Sequence, residues 1–214
     1  MSFKSNYTNQ ERVEHMKKIV IASNNTHKVA EIMTALDFDT WQFITLADAG
    51  VTSEPVENAD SFEGNARIKA RAAHELTGLA ALADDSGIVV DVLEGSPGIN
   101  SARYAGAHAN DAANNQKLLE ELEDVEEASR TARFVCVLVF VEEDGSEIVA
   151  QGTIEGIVGY SEQGSEGFGY DPLFFPLEYG GTRTLAQVVQ AEKNQISHRG
   201  NALHALRHKI SAQL

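Results

Sequence analysis

Short apolar runs alternate with amphipathic stretches through the first half of the chain. Lys18–Ala22, "KIVIA", reads as a buried strand, and "SNNTHK" after it as a polar turn. From Thr26 onward, Val29, Ile32, Met33 and Leu36 recur at helical spacing. "WQFITL" is a second strand and "VTSEPVENADS" a loop. "SFEGNARIKARAAHELTG" is a second helix, with Ser61 as N-cap and Gly78 just past its end. "LAALADDSGIVVDVL" reads as strand, carboxylate turn, strand; a Gly/Pro loop and a helix over Asp111–Leu122 follow. "TARFVCVLVFVEEDGSEIVAQGTIEGIVG" is a β-hairpin turning at "EDGS". A glycine-rich loop, "SEQGSEGFGYDP", leads to a short strand "LFF", a helical stretch over Val188–Lys193 and a last helix capped by Ser197. Early strand–helix alternation with a late hairpin predicts an α/β fold: a mixed twisted sheet with flanking helices, in two lobes around a central cleft.

Composition narrows the classes. The chain has 214 residues, enough for one sizeable domain; residues 1–17 read as a polar extension and 18–214 as one two-lobed domain. No apolar run approaches a membrane span, and the N-terminus lacks a secretory apolar core. The single cysteine, Cys136, excludes a disulfide framework, fits a reducing cytoplasm and reads as a core residue. A net charge of −15 disfavours a nucleic-acid polymer as partner. It leaves room for a small phosphorylated ligand held by local cations, amides and a metal ion. The acidic stretch Leu118–Ser129 reads as a solvated helical face and loop.

Candidate chemistry sits in the polar interruptions. "SNNTHK" is not a P-loop, yet Ser23, Asn25 and Lys28 lie between a strand and a helix start, where free amides favour an anion. An ordinary capped turn fits the same residues. Asp84 and Asp85 suit Mg²⁺, which takes one or two carboxylates with water and phosphate; Glu54 or Glu57 could add another. Aspartates capping a turn are the plainer alternative. Asn65 and Lys69 share a helix face. "GFGYDP" displays Phe168 and Tyr170 for stacking on a base, or buries them in the core. Lys193, His198 and Arg199 surround a helix start, as ligand contacts or as a solvated basic turn. His204 and His208 lack a zincin glutamate and read as surface or packing residues.

Five stretches together resemble one family: "SNNTHKVAEI", "SFEGNARIKA", "LADDSGIVVDVLEGSPGINSARYAG", "GFGYDPLFF" and "KNQISHRGNAL". The family is the inosine triphosphate pyrophosphatases, or XTP/dITP diphosphatases, and the likeness spans about residues 18 to 210. It implies Mg²⁺-dependent hydrolysis of noncanonical purine triphosphates (ITP, dITP, XTP) to the monophosphate and pyrophosphate. It also implies a homodimer that clears deaminated purines from the nucleotide pool. On this resemblance Asp85 is the proton acceptor and Glu57 the acidic Mg²⁺ ligand; Asp85 is expected to share the Mg²⁺ with Glu57. Ser23, Asn24, Asn25, Thr26, His27 and Lys28 match the triphosphate loop, and Ser86 a substrate contact. Phe168, Gly169, Tyr170 and Asp171 match the base loop; Lys193, His198 and Arg199 match further contacts, and Lys69 is added as a cation for phosphate charge. The family loop reads T-G-N-x-G-K, so Asn24 and His27 replace two glycines.

The resulting expectation is that Asp84 and Asp85 interrupt a strand because they face a cleft with Mg²⁺ and phosphates. Phe168 stacks on the base, and donors near His198 and Arg199 select the purine 6-oxygen. Two rivals are a pyrophosphatase for modified pyrimidine nucleotides and a non-catalytic nucleotide-binding regulator. The second predicts binding without pyrophosphate release.

Overall fold

The structure, a computed structural model, describes residues 16–36, 38, 40–106 and 110–212; most of the polar N-terminal extension lies outside them. β1 (Lys17–Ile21) leads through a polar turn into α1 (Thr26–Ala35), then β2 (Trp41–Thr45), α2 (Phe62–Thr77) and β3 (Ala80–Val90). α3 (Asp111–Glu121) precedes the hairpin β4 (Thr131–Val141) and β5 (Glu147–Val158). Short β6 (Phe174–Pro176), α4 (Gln190–Ile196) and α5 (His198–Ser211) complete the chain. The six strands form one sheet in the order β2-β1-β3-β4-β5-β6. β1 pairs parallel with β2 and β3, and every later pairing is antiparallel. This is the mixed α/β fold the sequence predicts. No helix among the described residues is long and apolar enough to cross a membrane.

Side chains alternate across the strands, so each strand feeds two cores. Ile19, Ile21, Leu82, Leu138 and Phe140 pack against Ile32 of α1 and Leu203, Leu206 and Ile210 of α5. Val20, Ala81, Ala83 and Val139 pack on the opposite face against Ala66, Ala70 and Ala73 of α2. The alanines let α2 lie close to the sheet. At the far ends of the strands a third cluster joins Ile88, Val90, Phe134 and Ile154 to Leu118, Tyr170 and Phe174. The middle of β3, from Asp84 to Gly87, lies between these packed regions.

Two sequence expectations change. The predicted strand, carboxylate turn and strand are one continuous strand, with Asp84 opposite Leu138 and Asp85 opposite Val137 of β4. Side-chain partners, described below, compensate the carboxylates, so the backbone keeps its ladder. The helix expected over Val188–Lys193 instead spans Gln190–Ile196, because Val188 and Val189 are extended. The predicted caps hold: Ser61 accepts from Gly64 N, Ser197 accepts from Gly200 N, and Gly78 ends α2 in the left-handed region at φ 68°.

Candidate active site

A cavity of about 710 Å³ opens beside the middle of β3. Of the residues singled out from the sequence for chemistry, Glu57, Lys69, Asp85, Ser86 and the members of the glycine-rich loop and the start of α5 border it, as do Ser23, Asn24, Asn25 and Lys28; Asp84, Thr26 and His27 do not. It thus gathers segments from both halves of the chain: the turn after β1, the loop before α2, β3, the glycine-rich loop and the start of α5.

The first loop is built by its own side chains. Asn25 is the N-cap of α1, and its Oδ1 accepts from the amides of His27 (3.0 Å) and Lys28 (3.2 Å). The Asn25 amide donates to Ser23 Oγ at 3.2 Å. These helix-start amides are therefore already engaged, which corrects the expectation that they stand free for an anion. Positive charge comes instead from Lys28, half-buried on the first turn of α1. Asn24 donates from Nδ2 to Ser53 O at 3.1 Å, tying this loop to the extended segment that carries Glu54 and Glu57.

Strand alternation separates the two aspartates. Asp84 is fully buried; Lys28 Nζ lies 3.1 Å and Arg199 Nη2 3.0 Å from its Oδ2. Burial opposes its ionisation, but Lys28, Arg199 and Lys69 outweigh burial and hold the carboxyl far below the usual range. Asp84 does not border the cavity. Only Asp85 does, so the expectation that both carboxylates face the cleft is half right. Asp85 accepts from Asn65 Nδ2 (3.2 Å) and from the Ser86 amide (3.0 Å), and Lys69 Nζ lies 3.7 Å away. Burial pushes the Asp85 carboxyl up, and the lowering by Lys69 and Lys28 does not cancel it. Adjacent carboxylates with pKa values driven apart are the arrangement in which one anchors and the other exchanges protons.

Lys69 also contacts Glu57 Oε2 at 2.9 Å. Burial alone would lower the Lys69 pKa, but Asp85, Asp84 and Glu57 together raise it, so the ammonium stays charged. Glu57 and Asp85 therefore converge on a space that already suits a cation. Among the described residues no group of three or more His, Cys, Asp or Glu side chains could hold a metal unaided.

The opposite wall is a buried ion network. Lys193 Nζ lies 2.6 Å from Asp171 Oδ2 and 3.1 Å from Glu31 Oε1. Arg199 pairs with Glu31 through Nη1, and with Asp84 and Ser86 Oγ through Nη2. Lys193 and Arg199 are 2% and 1% exposed, which rules out the solvated basic turn. Arg199 is largely committed within the protein, leaving only Nε without a partner. His198 stacks on Phe134 at 4.7 Å, and its Nδ1 has no hydrogen-bond partner. Burial first, then Arg199 and Lys193, hold its pKa well below the usual histidine range, so the ring is neutral.

The glycine-rich loop is held from three sides. Asp171 Oδ2 accepts from the Phe168 amide (2.9 Å), Asp111 from the Gly169 amide (2.7 Å), and Asn115 donates to Gly169 O (3.2 Å). The Tyr170 ring is buried and its hydroxyl donates to Ser101 O at 2.8 Å, so Tyr170 plugs the core while Phe168 stays half-buried. Gly167, at φ 76°, would drive a Cβ into the Asp171 carboxylate.

Sequence reasoning missed Glu31, the buried acid joining Lys193 to Arg199. Its signal was its place three residues after Lys28, on the same helix face. Asn65 was placed on the Lys69 face but given no role; it supports Asp85. His204 and Cys136 stay outside the chemistry: His204 is exposed, and burial pushes the Cys136 thiol up to about 12.

A cleft that sets a carboxyl of raised pKa beside lysines, on a mixed α/β sheet, suits a hydrolase acting on a polyanion. The chain belongs to the Ham1 family, whose model matches residues 19–209. It is 45% identical over 205 residues to a protein of Clostridium perfringens named dITP/XTP pyrophosphatase, covering 93% of this chain and all of that one. Solved structures agree. The Staphylococcus aureus Ham1 protein superposes with a TM-score of 0.82 at 37% identity, covering 92% of this chain and all of that one. A HAM1 protein from Coxiella burnetii gives 0.82 at 41% identity, with the same coverage of both chains.

Proposed function

We propose that this chain, a nucleoside triphosphate pyrophosphatase, hydrolyses dITP, ITP and XTP to the monophosphate and pyrophosphate with Mg²⁺. The observation that carries the reading is the raised carboxyl of Asp85 beside Lys69 and Glu57 in the cavity. The Clostridium perfringens relative, named dITP/XTP pyrophosphatase, supports the substrate class.

Glu57 and Asp85 fit Mg²⁺ because their oxygens already share one ammonium, and Mg²⁺ needs only one or two carboxylates beside phosphate and water. When bound there, Mg²⁺ offsets charge on the triphosphate. Asn65 and the Ser86 amide fix the Asp85 carboxylate, which takes the proton of the attacking water. The water oxygen bonds to the α-phosphorus, the bond from that phosphorus to the bridging oxygen breaks, and pyrophosphate leaves. Ser23, Asn24 and Asn25 line the phosphates, with Lys28 and Lys69 offsetting their charge. Phe168 stacks on the base. Gly169 and Asp171 shape its loop, and Lys193 Nζ lies over the Phe168 ring.

Selection of the 6-oxygen falls to a ring nitrogen of His198, which borders the cavity, more than to Arg199, which is anchored. An amino group facing an unpaired buried donor costs about 1–3 kcal/mol. The same reading takes residues 18–214 as one two-lobed domain. It makes the enzyme a cytoplasmic homodimer that cleanses the nucleotide pool. The test is pyrophosphate release from dITP, ITP, XTP, GTP and ATP, with and without Mg²⁺. Mg²⁺-dependent release from the first three supports the reading; equal release from ATP, or none from any, refutes it.

A further inference from the structure

The side chain of His27, in the first loop, reaches the glycine-rich loop across the cleft. Its imidazole stacks on Phe168 with ring centroids 5.2 Å apart and planes 17° from parallel. Phe168 borders the cavity and His27 does not. The imidazole therefore packs on the Phe168 ring from a residue outside the lining of the ligand space. Lys193 Nζ, 4.8 Å from the Phe168 centroid, borders the cavity. The backbones on both sides are fixed: Asn25 caps the His27 amide, and Asp171 and Asp111 hold the amides of Phe168 and Gly169. The stack thus joins two hydrogen-bonded loops and packs against the Phe168 ring.

We infer that His27 is a positioning residue for the base: it backs Phe168 from outside, so that the platform for the purine is set before nucleotide arrives. The inference rests on the proposed function, and it gives His27 a different duty from contacting phosphate. A platform held in advance loses less freedom on binding, so the effect falls on affinity for nucleotides and not on affinity for a base-free polyphosphate.

The test compares His27→Ala and His27→Phe with the wild type, using KM for dITP and the inhibition constant of inorganic tripolyphosphate. His27→Ala raises KM by about two- to ten-fold, the worth of one aromatic pair, and leaves tripolyphosphate inhibition unchanged. His27→Phe, which keeps a stacking ring, restores KM. An unchanged or lowered KM overturns the inference, since a ring that blocked the base would give the second. Parallel weakening of tripolyphosphate also overturns it, because it marks a phosphate contact. Nuclear magnetic resonance of the free protein reads the stack without turnover. The His27 ring protons carry a Phe168 ring-current shift that Phe168→Leu removes, and no change in that variant overturns the inference. A wild type that hydrolyses no deaminated purine nucleotide defeats the proposed function alone, because this signature remains measurable.

Discussion

Asp84 and Asp85 are consecutive in β3, yet their carboxylates leave the strand on opposite faces and enter opposite electrostatic surroundings. Asp84 meets Lys28 and Arg199; Asp85 meets Asn65 and Lys69. The two substitutions to asparagine therefore have different consequences. Asp85→Asn removes the proton acceptor and lowers kcat by about 10²-fold or more with the melting temperature retained. Asp84→Asn leaves half-buried Lys28 and buried Arg199 short of a counter-charge and destabilises the fold by about 3–5 kcal/mol. Steady-state kinetics and urea unfolding of both variants check this. Full activity in Asp85→Asn, or an unchanged unfolding midpoint in Asp84→Asn, contradicts the division.

Glu31 sets an acid limit on stability. Burial raises its pKa, but Arg199 and Lys193 outweigh burial and bring it below the ordinary value of 4.5. A lowered folded pKa means that the unfolded state binds the proton first as pH falls. The contribution of Glu31 is complete above pH 4.5 and disappears as pH falls through the folded value. In Glu31→Gln the unfolding free energy is lower at neutral pH and falls less steeply below that point. Urea midpoints from pH 7 down to pH 3 give the slope, and parallel slopes in variant and wild type reject the role.

How far these residues were legible depends on where their partners lie. The caps at Ser61, Asn25 and Ser197 follow from local chemistry, and the sequence places the helices they begin. The hairpin is equally local. The carboxylate pair misled because adjacent aspartates favour a turn when counted by propensity; alternation across a strand, with cations on each side, lets the ladder run through them. Lys193 and Arg199 look like solvent-exposed cations because their partners Asp171, Glu31 and Asp84 come from other segments. Glu31 itself sits in a helix read by its apolar positions, which are silent about a buried charge. The family motifs recovered the cavity wall where spacing could not.

Asn24 tests whether the segment bearing Glu57 needs its tether. The hydrogen bond from Asn24 to Ser53 O is exposed and contributes little to global stability. Its effect is on geometry. Asn24→Gly frees the segment before α2 and raises the Mg²⁺ concentration that gives half-maximal rate, by about two- to ten-fold, the worth of one hydrogen bond. The unfolding midpoint moves by about 0.5 kcal/mol or less. A Mg²⁺ titration of the rate decides it, and superimposable curves remove Asn24 from the site.

Gly152 shows how the sheet places the start of α5. It lies opposite Cys136 in the β4–β5 register, on the face where α5 crosses β5. A Cβ at this position would overlap Ala202 N and His198 O, which are backbone atoms of one helix and have no rotamer to escape into. Gly152→Ala must therefore push the first turns of α5 away from the sheet. His198 and Arg199 ride on those turns, and Arg199 holds Asp84 and Glu31. The expected loss is about 1–3 kcal/mol of stability, as for other overpacked sites, with a raised KM for dITP because His198 shifts against the cavity. The neighbouring Gln151→Ala changes an exposed side chain on the other face and moves stability by about 0.5 kcal/mol or less. If Gly152→Ala behaves like Gln151→Ala in both urea unfolding and KM, the close approach of α5 does not position His198. A stability loss with unchanged KM would mean that the helix moves as a body without disturbing the base contact.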